Sequence, residues 1–98
     1  MAYVKYYIKQ LGEPDNTAGS WYYLWKTKRT KEGETIRRRY YRTWIDAQEA
    51  LAHIYHNYAE MYVKHNWQCC LEWEEDLLLI DKTAFVIRSE KHYGKEND

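Results

Sequence analysis

A chain of 98 residues, 45% of them hydrophobic, has room for one domain around one core and no more. Its Lys/Arg and Asp/Glu contents are equal at 15 each, so no field of a single sign covers the molecule. No apolar run approaches the roughly 20 residues of a membrane-spanning helix and "MAYVKYYIKQ" lacks the order of a signal peptide, so a helical membrane protein is excluded and a cytoplasmic location is expected.

In chain order, "AYVKYYIKQL" alternates Val4, Tyr6 and Ile8 with Lys5, Tyr7 and Lys9, the period-2 pattern of a half-buried strand. The loop "GEPDNTAGS" follows. "SWYYLWKTKRT" then reads as a second strand, with Trp21, Tyr23 and Trp25 on one side and Tyr22, Leu24, Lys26 and Lys28 on the other. "KEGE" supplies a glycine turn and "TIRRRYYRTW" a third strand, so the two form a hairpin.

The period changes at Thr43. "TWID" is a helix-capping signal, with Thr43 placed to accept from a free backbone amide and Asp46 in the first turn. Ala47, Leu51, Ile54, Tyr58, Met61 and Tyr62 recur at helical spacing, which predicts an amphipathic helix over residues 44–65. Period 2 returns with Trp67, Cys69, Leu71 and Trp73 opposite Gln68, Cys70, Glu72 and Glu74, a fourth strand. "LLLIDKTAFVIRSE" fits either one long strand or two broken at Asp81 and Lys82, and residues 92–98 read as a flexible tail. The expected architecture is a single α+β domain over residues 1–98. Its order is β-β-β-α-β-β, two layers, with an antiparallel sheet of about five strands packed on one long helix.

Chemistry-bearing patterns are sparse. His53, His56, Glu60, His65, Cys69 and Cys70 lie near one another in sequence, but their spacing matches no zinc pattern, and solvated polar groups are the simpler reading. The adjacent Cys69 and Cys70 are poorly placed to bridge each other and are expected to fill core space in a reducing compartment. No nucleophile elbow, phosphate loop or dinucleotide fingerprint occurs, so neither an enzyme nor a cofactor or metal is expected.

Charge is distributed unevenly. Residues 1–48 hold ten Lys/Arg against five Asp/Glu (+5), and residues 49–98 hold five against ten (−5). Eight of the basic residues, Lys26, Lys28, Arg29, Lys31, Arg37, Arg38, Arg39 and Arg42, fall in "WKTKRTKEGETIRRRYYRTW" beside only Glu32 and Glu34. On a hairpin such groups repel unless an anion joins them, and a two-stranded ribbon fits the DNA major groove. Tyr22, Tyr40 and Tyr41, interleaved among them, offer faces for stacking on bases. The expected partner is therefore nucleic acid, DNA ahead of RNA.

The stretch "GSWYYLWKTKRTKEGETIRRRYYRTWIDAQEAL", residues 19–51, resembles the AP2-like arm-type DNA-binding domain at the N-terminus of tyrosine integrases from phages and conjugative transposons. Gly19 and Trp21 stand where that family opens a strand, and Tyr41, Thr43, Asp46 and Ala47 where it opens its helix. The resemblance implies a β-β-β-α unit that reads the major groove with the sheet face turned away from the helix, through Tyr22, Lys26, Lys28, Arg37 and Arg39. It also implies a phage or mobile-element setting. A rival expectation rests on Glu72, Glu74, Glu75 and Asp76, which could imitate phosphates, and on the surplus of Tyr and Trp. On that reading the partner is a nucleic-acid-handling host protein, blocked in the manner of small anti-restriction or anti-CRISPR proteins.

Overall fold

The computed structural model describes residues 2–13 and 19–94. Its elements in chain order are β1 (Ala2–Gly12), α1 (Trp21–Leu24), β2 (Trp25–Thr30), β3 (Gly33–Arg38), α2 (Trp44–His65), β4 (Leu71–Glu74), β5 (Leu77–Ile80) and β6 (Thr83–Tyr93). The fold is α+β, with α2 packed on a four-stranded antiparallel sheet of order β1-β6-β5-β4 and with β2 and β3 forming a separate two-stranded sheet.

The long helix begins and ends where its local signals say. Thr43 accepts a hydrogen bond from the Asp46 backbone amide at 3.1 Å, and Asn66 closes the last turn in the left-handed conformation, φ 53°. Ala47, Ala50, Leu51, Ile54 and Tyr58 form its buried stripe. The two alanines bring the helix backbone close to the sheet, where Ile8, Leu78, Ile80, Phe85 and Ile87 complete the core. Phe85, Leu51, Ile54 and Leu78 are the largest fully buried side chains, each worth about 1.5–3 kcal/mol relative to exposure.

The first and last strands pair along their whole length, from Ala2 opposite Tyr93 to Gly12 opposite Thr83. Residues 77–88 therefore hold two strands, joined at Asp81 and Lys82, with Asp81 at φ 51°. The Asp81 carboxylate accepts from the Cys70 amide at 2.9 Å and the Asp81 amide donates to the Cys70 carbonyl at 2.9 Å. These bonds tie Cys70 to the end of the β4–β5 ladder, and β4 itself begins only at Leu71, later than the alternation suggests. Cys69 and Cys70 are free and lie outside the core, contrary to their expected role as filler.

Three further expectations are corrected. Residues 21–24 form a helical turn rather than the start of a strand. There the Leu24 carbonyl accepts from the Arg39 amide and the Tyr23 carbonyl from the Tyr41 hydroxyl, so neither needs a sheet neighbour. The third strand stops at Arg38, after which the backbone meets the main sheet in a single bridge, Tyr41 exchanging bonds of 2.9 and 2.7 Å with Tyr6 on the outer edge of β1. The sheet is consequently divided in two instead of five strands side by side. At the other end of the chain, His92 and Tyr93 continue β6 opposite Tyr3 and Ala2, so the expected tail at 92–98 starts too early. Residues 95–98, and residues 14–18 of the expected loop, lie outside the described residues.

Candidate nucleic-acid interface

The β2–β3 hairpin is an arm. Every residue from 27 to 37 is exposed, including Ile36 at 64%, so this sheet has no buried face. The radius of gyration, 15.0 Å, exceeds the about 13 Å of a compact chain of this length, as a projecting element requires. With six residues per strand, the arm reaches about 20 Å. Its turn, Lys31 and Glu32, closes on Gly33 at φ 126°, a conformation that L side chains rarely adopt.

That turn fixes the register, and the register sorts the charges. Lys26 stands opposite Arg37, Lys28 opposite Thr35 and Thr30 opposite Gly33, so one face carries Lys26, Lys28 and Arg37 with no carboxylate. Among the described residues none forms an ion pair with these three. The directly opposed Lys26 and Arg37 repel, a cost of a few tenths to 1 kcal/mol. The other face pairs Trp25 with Arg38, Thr27 with Ile36 and Arg29 with Glu34, and the last pair is an exposed ion contact of 3.4 Å.

Beyond the arm the basic residues diverge. Arg38 stacks over the Tyr7 ring at 4.0 Å, on the sheet face away from α2, where Tyr40 also packs against Tyr7. Arg39 turns the other way: its Nε donates to the Tyr22 carbonyl at 2.6 Å, its guanidinium lies 4.3 Å from the Tyr22 ring, and both line a recess with Asp46, Glu49 and His53 of α2. Lys31 sits at the tip and Arg42 immediately before the helix cap, both exposed. The structure therefore brings Lys26, Lys28, Arg37 and Arg38 to the arm and its root. Arg29 faces Glu34, while Tyr22 and Arg39 sit beside the helix.

Sequence reasoning missed the root of the arm. Lys5 is only 5% exposed although it lies on the sheet face away from the helix, whereas Val4, expected inside, is 44% exposed. The Lys5 ammonium lies 5.8 Å from the Tyr3 ring centre and 5.7 Å from that of Tyr40. His92 stacks on Tyr3 and meets Tyr40 edge-on, at 5.7 and 5.0 Å. Tyr40 donates to Glu90 at 2.8 Å; burial first, and then this bond, raise its pKa. Tyr40 and His92 stand far from Lys5 in sequence, and the alternation in "YVKYYIK" marks Lys5 only as a polar-face residue.

The acidic residues occupy the opposite edge of the sheet. Glu72 and Glu74 stand opposite Leu79 and Leu77 on edge strand β4, and Glu75 and Asp76 form the turn after it, all four exposed. Basic and acidic ends are thus separated by the width of the sheet. Among the described residues no three His, Cys, Asp or Glu side chains converge as metal ligands, and no helix is long and apolar enough to cross a membrane. Comparison with protein-family models, curated proteins and solved structures finds no match.

Proposed function

We propose that the chain is a non-catalytic binding protein that holds DNA through the β2–β3 arm. The observation that carries this reading is the arm face of half-buried Lys26 and exposed Lys28 and Arg37, without a carboxylate partner among the described residues and continuing into Arg38 at the root. Like charges held together on a projecting ribbon are destabilising unless an anion joins them, and DNA phosphates supply one at every step. A two-stranded ribbon enters the major groove of DNA, whereas the corresponding groove of an RNA duplex is too narrow. Arg37 is then placed to reach a base edge while Lys26 and Lys28 hold phosphates. A phage or mobile-element accessory role accords with the sequence resemblance of residues 19–51.

The test is the affinity for duplex DNA, followed by fluorescence anisotropy across a salt series. With three or four phosphates neutralised, the log-log slope is about −3. A slope near zero, or no binding at low salt, rejects the proposal. The exposed carboxylates of Glu72, Glu74, Glu75 and Asp76, gathered at one sheet edge, support a second reading as an inhibitor of a nucleic-acid-handling protein. Retention of such a protein from nuclease-treated lysate, lost when these four are neutralised, favours that reading.

A further inference from the structure

At the root of the arm the sheet and hairpin border a half-open pocket of about 360 Å³, lined by Tyr3, Lys5, Lys26, Arg37, Arg38, Tyr40 and His92. That volume lies at the small end of the range for small-molecule sites. Among the described residues the lining holds four permanent cations and no carboxylate. Glu90 stands across the ladder from Lys5, and its Oε2 already accepts from Tyr40. Even leaving Lys5 aside, Lys26, Arg37 and Arg38 outnumber that one neighbouring carboxylate among the described residues, so positive charge is in surplus, and the remaining walls are aromatic.

We infer that this pocket takes the phosphomonoester of a nucleotide, at the end of a nucleic-acid strand or free in solution, with Lys5, Lys26, Arg37 and Arg38 on the phosphate and the Tyr3, Tyr40 and His92 rings beside the base. Two features favour a terminal phosphate over an internal one. A monoester carries about −1.5 to −2 charges at pH 7 against a single charge on a backbone diester, so a site with surplus positive charge discriminates between them. Lys5 is also only 5% exposed, too deep for a strand passing along the arm face, whereas a chain end can enter. The aromatic walls give a base a surface to stack on, a contact indifferent to base identity. This deepens the DNA-binding reading and rests on it where the phosphate belongs to a strand.

The experiment compares duplexes bearing a short single-stranded overhang that ends in a 5′-phosphate, a 3′-phosphate or a hydroxyl, with adenosine monophosphate and inorganic phosphate titrated separately by calorimetry. One phosphorylated end is expected to bind roughly tenfold tighter than the hydroxyl end, the worth of one added charge-assisted hydrogen bond. Arg37→Ala, at an exposed position, and Lys5→Met, at the buried one, should each reduce that preference to about twofold or less. Retention of the full preference in a folded Arg37→Ala variant overturns the assignment even if Lys5→Met fails to fold. Equal binding of all three duplexes, with no binding of adenosine monophosphate, overturns the pocket but leaves the arm as a DNA contact. Binding of adenosine monophosphate without any duplex binding supports the pocket and overturns the DNA reading, and no binding of any probe overturns both.

Discussion

Arg37 and Arg29 belong to the same arm, both exposed, yet replacing Arg37 by alanine should weaken DNA binding while the same change at Arg29 leaves it intact. Arg37 lies on the face shared with Lys26 and Lys28, whereas Arg29 lies on the other face, 3.4 Å from Glu34. If Lys26, Lys28, Arg37 and Arg38 each neutralise one phosphate, affinity falls roughly 150-fold between about 50 and 200 mM salt, from a slope of about −3.6. Removing Arg37 leaves three contacts, a slope of about −2.7 and a fall of roughly 40-fold over the same range. At fixed salt the loss is about 1 kcal/mol, or fivefold, and more if Arg37 also reads a base. Arg29→Ala should leave the slope unchanged. Thermal unfolding supplies the control, because Arg37→Ala also removes the repulsion from Lys26, so stability should stay level or rise by a few tenths of a kcal/mol. Anisotropy titrations of both variants at four salt concentrations decide the matter. Equal effects of the two substitutions, or an unchanged slope for Arg37→Ala, would refute the division of the arm into a DNA face and a neutralised face.

Three further outcomes test the scaffold. Thr43→Ala, which deletes the bond to the Asp46 amide, should cost about 1 kcal/mol in urea unfolding while leaving the salt slope intact. Gly12→Ala should cost more than about 1 kcal/mol, since Gly12 sits at φ 92° and a β-carbon there would meet the Lys82 carbonyl; an unchanged urea midpoint contradicts that packing. Tyr40, Tyr41 and Tyr62 are all held above their ordinary pKa of 10.0, chiefly by burial. Because the folded values are raised, this stability is fully present below about pH 10 and is lost as pH rises through them. The urea midpoint should therefore drop above that pH, and Tyr41→Phe should lessen the drop.

The features legible in the sequence were the local ones. Thr43 and Asp46 announce α2 because a capping bond spans three residues, and the core stripe of Ala47, Leu51, Ile54 and Tyr58 repeats within single turns. The glycine at position 33 announces the arm for the same reason. What escaped depended on distant partners. Trp21, Tyr22, Tyr23 and Leu24 alternate like a strand, yet their backbone bonds are met by Arg39 and Tyr41, so they coil into α1. Lys5 looks solvated until the Tyr3 and Tyr40 rings are placed beside it. The basic cluster was visible as composition; its division between two faces follows from the Lys26–Arg37 register, which a shift of one residue would reverse.

The central claim is that DNA lies on the Lys26–Lys28–Arg37 face of the arm, and the side-chain Nε–Hε resonances of the arginines report on it directly. On addition of duplex DNA, the signals of Arg37 and Arg38 should shift while those of Arg29 and Arg39 stay in place. Shifts confined to Arg29 and Arg39, or to the amides of Glu72, Glu74, Glu75 and Asp76, would contradict it.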